Sequence, residues 1–232
     1  MKNIVITGAS EGIGRALALE FLRNSDTRLF LISRNIEKLN SISNDNSADI
    51  DRISIYSFDL VNGDYNLLIE RIKEKFDKVD ILINNAGVIV NKTFAEINPS
   101  EFDQVIATNL KAPFFLIQHL MPLYVSGTHI INISSMGGFQ GSVKFPGLSL
   151  YSASKGALAV LTESLSAEFS NSGISVNCLA LGSVQTTMFE EAFPGFMSPT
   201  SAASIAEYIA WFSLNAHKWI NGKIIPVSIS TP

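Results

Sequence analysis

The sequence predicts a doubly wound α/β domain: a parallel sheet of about seven strands with helices on both faces. Three observations carry this. Short runs of β-branched and apolar residues recur along the 232-residue chain. They are apolar at nearly every position rather than at alternate ones, so both faces need cover. Between them lie helix-length stretches, and a strand–helix–strand alternation supplies that cover.

The elements follow in order. Asn3–Thr7 forms the first strand and runs into Thr7-Gly8-Ala9-Ser10-Glu11-Gly12-Ile13-Gly14, with a helix near 12–24. Arg28–Ser33 precedes a helix near 35–43, and Ile53–Phe58 one near 62–76. Asp80–Ile83 leads to a long helix near 99–125, and Thr128–Ile133 to one near 151–171. Ile174–Leu179, a helix near 200–215 and Lys223–Val227 complete the series. No repeat or linker divides the chain, so residues 1–232 are expected to form one domain.

Composition narrows the function. Apolar residues make up 47% of the chain and charged ones 16%, which excludes disorder. Seventeen basic residues against 21 acidic ones give a net charge of −4, unlike the basic stripe of a nucleic-acid binder. Cys178 is the single cysteine, too few for a disulfide framework or a Cys-rich zinc site. His119, His129 and His217 have no metal-ligand spacing and read as packed or surface residues. No apolar run approaches the ~18 residues of a membrane span. Only Ile4, Val5 and Ile6 are apolar before Thr7-Gly8, too few for a secretory leader, so a soluble cytoplasmic protein is expected. The helix at 151–171 bears only Lys155, Glu163 and Glu168 as charges. Such a helix is expected to be covered by its own sheet and by a second subunit, in a homodimer or homotetramer.

The glycine-rich turn after the first strand lets the backbone approach a pyrophosphate at a helix N-terminus, the Rossmann-like arrangement for a dinucleotide. Gly8 and Gly12 are separated by three residues rather than the one of G-x-G-x-x-G. That spacing resembles the short-chain dehydrogenase/reductase family. Further landmarks follow in family order from Thr7 to Val227: Asn84-Asn85-Ala86-Gly87 after strand four, Asn109 in the long helix, Ser134-Ser135 ending strand five, and Tyr151-Ser152-Ala153-Ser154-Lys155.

The resemblance implies an oxidoreductase that interconverts a carbonyl and an alcohol by hydride transfer. Tyr151 would move the proton, Lys155 would assist it and hold the nicotinamide ribose, and Ser135 would polarise the carbonyl. Asn109 would bend its helix and hold a water in the relay. Tyr151 and Lys155 are i and i+4 on one helix face, and the neighbouring ammonium, together with the positive charge of an oxidised nicotinamide, is expected to lower the phenol pKa. Ser135 rather than Ser134 is chosen because it aligns with the second serine of the family's strand-five ending, and adjacent strand residues point to opposite faces. Tyr151 lies sixteen positions after Ser135, which implies an enlarged substrate-side loop at 136–150.

The cofactor set implied begins with Gly8, Ser10, Glu11, Gly12, Ile13 and Gly14. Ser33 and Arg34 end strand two without a nearby carboxylate, which favours a 2′-phosphate and hence NADP(H) over NAD(H). Glu11 opposes this, standing where NADP-preferring relatives often carry a cation. Asp59 and Leu60 resemble the adenine contact, and Asn85, Ala86 and Gly87 continue the set. Tyr151, Lys155, Gly182, Val184 and Thr186 complete it at the nicotinamide. Leu181 stands where relatives usually have proline, so the loop beyond it is expected to loosen.

A substrate lid is implied near 183–200, and an apolar pocket by Val88, Ile89 and Val90, then Met136, Phe139, Phe145 and Leu148, then Met188, Phe189, Phe193 and Phe196. About half of those phenylalanines are expected only to pack the lid or a subunit interface. A small, apolar, uncharged substrate follows. Two alternatives stand beside this reading: a 3-oxoacyl-carrier-protein reductase, disfavoured because basic residues are scarce around the site, and a non-catalytic dinucleotide sensor, disfavoured by the intact Ser135, Tyr151 and Lys155.

Overall fold

Runs that are apolar on both faces pair side by side, and the seven strands form one all-parallel sheet. In the computed structural model, which describes residues 1–229, these are β1 (Lys2–Thr7), β2 (Thr27–Ser33), β3 (Ile53–Ser57), β4 (Val79–Asn84), β5 (Tyr124–Ser135), β6 (Ser175–Leu181) and β7 (Ile224–Val227). Their order is β3-β2-β1-β4-β5-β6-β7. The chain winds outward from β1 to β3, returns to β4 and continues to β7. The crevice between the carboxyl ends of β1 and β4 is therefore the switch point where α/β sheets bind ligands.

Eight α-helices cover the sheet: α1 (Gly12–Leu22), α2 (Ile36–Asp45), α3 (Tyr65–Lys73), α4 (Pro99–Ile106), α5 (Ala112–Leu120), α6 (Ser149–Glu168), α7 (Thr187–Ala192) and α8 (Ala202–Asn215). One buried cluster joins α1, α2 and α8 to one face through Leu17, Phe21, Leu39, Ile209 and Phe212. A second joins α3 and α5 to the other through Leu68, Ile72, Leu116 and Leu120.

Several boundaries differ from the sequence expectation. The helix foreseen over 99–125 is two helices joined by a π-helical turn at Ala107–Lys111, and it ends at Leu120. β5 then begins at Tyr124 instead of Thr128, with an irregular register between Val79 and Ile81 on β4. β6 runs two residues past Leu179, because Leu181 takes ladder positions opposite Ser135 and Val227. Helix α7 lies in a segment where no helix was foreseen.

Polar side chains inside the sheet are paired and fix α6 on it. Asn84 Nδ2 donates to Asn132 Oδ1 at 2.8 Å, and Asn132 Nδ2 donates to Thr162 Oγ1 of α6 at 2.9 Å. His129 is fully buried in a similar network. Asn177 Oδ1 accepts the Lys223 N–H at 3.1 Å, which orients its amide, so Asn177 Nδ2 donates to His129 Nε2 at 3.0 Å. The other ring nitrogen, Nδ1, meets the Ser213 carbonyl at 2.9 Å and must carry the proton. Only a neutral imidazole satisfies both partners.

Burial accordingly holds the His129 pKa down at about 4, although the Ser213 carbonyl opposes the shift. A folded-state pKa below the unfolded value of ~6.5 means that stability is fully present above pH 6.5 and is lost as pH falls toward 4. His129 alone contributes about 3 kcal/mol to that loss. His217, whose ring centre is 5.5 Å away, is also held below its ordinary value by burial. Urea midpoints between pH 7 and 4.5 should therefore fall steeply in the wild type and less steeply in His129→Gln, with the His217 contribution remaining.

Candidate active site

The glycine turn takes its shape from residues that only glycine can supply at two points. Gly8 and Gly12 adopt φ of +65° and +54°. A Cβ on Gly14 would lie 2.1 Å from the Gly8 carbonyl oxygen, so the helix start packs directly on the loop. The loop is also tied to β4. Thr7 Oγ1 accepts the N–H groups of Asn85 and Ala86, each at 3.0 Å, and Asn85 Nδ2 donates to the Thr7 carbonyl at 2.9 Å.

A single cavity of about 740 Å³ runs from this loop to Tyr151. Gly8, Ser10, Glu11, Gly12 and Ile13 line one end, with Ser33, Arg34, Asp59 and Leu60 beside them. Asn85, Ala86 and Gly87 form its middle, and Gly182, Val184 and Thr186 face them. Gly14 is absent from the wall; its part is the close packing just described. Ser33 Oγ donates to Ser10 Oγ at 2.8 Å. The Asp59 carboxyl is held low, chiefly by the Asn62 side chain and the Val61 N–H, with a smaller pull from Arg34. A long cleft with a glycine cradle at the sheet's switch point fits a dinucleotide.

At the other end Ser135, Tyr151 and Lys155 line the same cavity. The two adjacent serines diverge. Ser134 Oγ donates to the Lys155 carbonyl at 2.9 Å and anchors α6, while Ser135 Oγ accepts the Gly137 N–H at 3.1 Å and stays beside the phenol. Lys155 is buried; its Nζ donates to the Ile133 carbonyl at 2.9 Å and lies 5.9 Å from the Tyr151 ring centre. Burial lowers its pKa to about 8.

Lys155 by itself does not lower the tyrosine pKa. Burial pushes Tyr151 up to about 12, and only the Ser135 hydroxyl pulls it down. The ammonium four residues on is directed at Ile133 and does not offset the cost of desolvating a phenolate.

Asn109 does not reach the cavity. Its Oδ1 accepts the Val88 N–H at 2.8 Å, and its Nδ2 donates to the Val88 carbonyl at 2.9 Å and to Ser154 Oγ at 3.0 Å. The amide clamps the peptide at Val88 and widens its own helix into the π-turn, a local distortion common at functional sites.

Nine apolar residues also line the cavity as foreseen, Val88, Ile89, Met136, Phe145, Leu148, Met188, Phe189, Phe193 and Phe196, but not Val90 or Phe139. Four of the five named phenylalanines thus line the cavity, more than the half expected. Asn91, Thr108, Pro146 and Thr187 join them without a sequence signal. The segment 183–200 is also tighter than Leu181 suggested. Gln185 N–H donates to the Thr200 carbonyl at 2.8 Å, Ser198 N–H to Gln185 Oε1 at 2.7 Å and Ser198 Oγ to the Ser183 carbonyl at 2.8 Å. These bonds stitch its base closed. Asn91 Nδ2 reaches the Ala192 carbonyl at 2.8 Å and ties α7 to the body.

The family model described as short chain dehydrogenase matches residues 2–195. The chain belongs to the short chain dehydrogenase family. An uncharacterized oxidoreductase of Staphylococcus saprophyticus is 32% identical over 211 residues, 89% of this chain and 88% of that protein. The fold of this short chain dehydrogenase is shared by ElxO with NADP bound, with a TM-score of 0.85 and 29% identity over 98% of this chain and 97% of the other. It is shared too by a short chain dehydrogenase from Salmonella enterica serovar Typhi, with a TM-score of 0.87 and 27% identity over 97% and 95%. A nicotinamide dinucleotide is the cofactor class these comparisons support.

Gly138 carried no sequence signal, yet the dehydrogenase site depends on it. A Cβ there would lie 2.5 Å from the Lys155 carbonyl carbon and 2.6 Å from the Gly156 nitrogen, both backbone atoms that cannot turn aside. Gly138→Ala should force α6 away from Ser135, cost about 1–3 kcal/mol and lower kcat by roughly 100-fold, as denaturation and steady-state rates would show. Wild-type values of both would contradict this packing.

Proposed function

We propose that the chain is an NADP(H)-dependent oxidoreductase that interconverts a carbonyl and an alcohol on a small, apolar substrate. The observation that carries the reading is the single cavity that has the glycine loop and Arg34 at one end and Ser135, Tyr151 and Lys155 at the other. When bound, the nicotinamide supplies or accepts the hydride. Ser135 donates a hydrogen bond to the substrate oxygen and orients it. Tyr151, kept as a neutral phenol by burial, gives its proton to that oxygen in reduction and takes it back in oxidation. Lys155 holds the ribose hydroxyls and relays a proton toward Tyr151, and Asn109 is a positioning residue. Arg34 takes the 2′-phosphate, a charge-assisted contact for which a guanidinium is suited.

The substrate end favours an uncharged ligand. Arg34 and Lys155 are the only cations on the described wall. Lys92 is ion-paired with Glu101, and Lys144 Nζ donates to the Phe139 carbonyl at 2.6 Å. Neither Lys92 nor Lys144 lines the cavity, so its substrate end offers an acidic carrier protein little positive charge. The segment 183–200 acts as a lid, with α7 carrying Met188 and Phe189 over the apolar wall. Ala153, Val160 and Ala167 are exposed on the outer face of α6, which supports a homodimer or homotetramer; light scattering that gives a monomer mass would remove the oligomer.

The test is an assay of NADPH and NADH oxidation over a homologous series of ketones and aldehydes. NADPH should be preferred, and kcat/KM should rise about fourfold per added methylene until the pocket is full, since each buried methylene contributes ~0.8 kcal/mol. A flat series, or best activity on polyhydroxylated substrates, would overturn the apolar assignment. In the same assay Tyr151→Phe should keep NADPH binding and lose nearly all turnover; near-wild-type activity would overturn the proton route.

A further inference from the structure

The rim at the cofactor end holds an ion pair that the reading above leaves unused. Glu11, on the cavity wall, is paired with Lys38, and both side chains are half exposed. Lys38 sits in the first turn of α2, where Asn35 caps the helix by accepting the Lys38 N–H at 2.9 Å. Arg34 and Ser33 immediately precede this cap and line the same end of the cavity. The fold therefore brings a cation from α2 to the place where Glu11 had argued against a phosphate.

The charge count decides between two roles for this pair. Arg34 alone faces the carboxylates of Glu11 and Asp59 on this part of the wall, an excess of negative charge that would oppose a phosphate dianion. Lys38 brings the four groups to neutrality, and the rim turns positive only once the Glu11 carboxylate is displaced. An exposed ion pair contributes little to stability, so exchanging its carboxylate for another anion costs little. A phosphate offers more charge and three strong acceptor oxygens, whereas a ribose hydroxyl gives the ammonium no reason to leave Glu11.

We propose that Lys38 is a second 2′-phosphate-binding cation beside Arg34, and that Glu11 holds it at the rim until the phosphate displaces the carboxylate. The inference rests on the NADP(H) reading and names the residues that set that preference. Glu11 is then an internal competitor for the phosphate site, and its presence is compatible with NADP(H).

Binding of NADPH and NADH, followed by reduced-nicotinamide fluorescence, tests this without turnover. Lys38→Gln should weaken NADPH about tenfold and change NADH less than about twofold, as expected for a lost charge-assisted contact. Lys38→Arg should recover most of the loss, and Glu11→Gln should tighten NADPH more than NADH. An NADPH affinity that survives Lys38→Gln, a loss shared equally by NADH, or a loss that Lys38→Arg does not recover overturns the role of Lys38. An unchanged NADPH affinity in Glu11→Gln overturns the competitor. Equal wild-type affinity for the two dinucleotides would overturn the NADP(H) reading and this inference together. A wild-type preference that is undiminished in Lys38→Gln overturns the inference alone.

Discussion

The reacting half of the molecule is organised around one buried ammonium. Lys155 is 4% exposed, and among the described residues no carboxylate is ion-paired with it. An isolated buried cation is costly, and here the cost is expressed as a pKa lowered to about 8. The surroundings limit that cost by fixing the chain on every side. Ser134 holds the Lys155 carbonyl, Ile133 accepts one ammonium hydrogen, and Gly138 lets α6 approach its neighbour. An ammonium has three donors. Ile133 takes one, which leaves two for a vicinal diol such as a ribose presents.

The opposite end achieves its order with almost no charge. Thr7 accepts two consecutive N–H groups from the chain leaving β4, and Asn85 answers by donating to the carbonyl oxygens of Thr7 at 2.9 Å and Gly8 at 3.2 Å. The carboxyl ends of β1 and β4 are thus fastened to each other at the switch point, and the glycine turn cannot drift relative to the strand that leads toward Val88. Val88 is in turn gripped by Asn109 through both its N–H and its carbonyl. Amide hydrogen bonds therefore run from the glycine turn, through the chain at Asn85–Val88 and Asn109, to Ser154 beside Lys155 on α6. Asn85 and Asn109 act by setting backbone geometry.

What the sequence made legible were the local patterns. Strands apolar on both faces announced a covered parallel sheet, the Gly8–Gly12–Gly14 spacing announced the cradle, and the i, i+4 spacing put Tyr151 and Lys155 on one helix face. What it hid depends on residues distant in the chain. The break at Ala107–Lys111 answers to the peptide at Val88, 21 residues from Asn109, and no helix propensity encodes it. Lys38 lies 27 residues from Glu11, so a negative charge in the loop read as unopposed. The missing proline at Leu181 pointed to a loose loop because the bonds that close it come from Ser198 and Thr200.

The tyrosine shows the same limit in electrostatic form. From spacing alone, a cation four residues away argues for an easily ionised phenol. In the fold, distance and direction matter more: the ammonium is turned toward the Ile133 carbonyl, and desolvation outweighs the pull of Ser135, leaving Tyr151 near 12. A phenol that resists ionisation is poorly suited to remove a proton from an alcohol before a positive charge arrives beside it. It is well suited to give one to a carbonyl oxygen that is gaining negative charge. The wall around Met188, Phe189 and Phe193 is apolar as well, so it offers a phenolate no compensating partner. Burial of the acid and apolarity of the pocket therefore act in the same sense: each penalises charge at the reacting end.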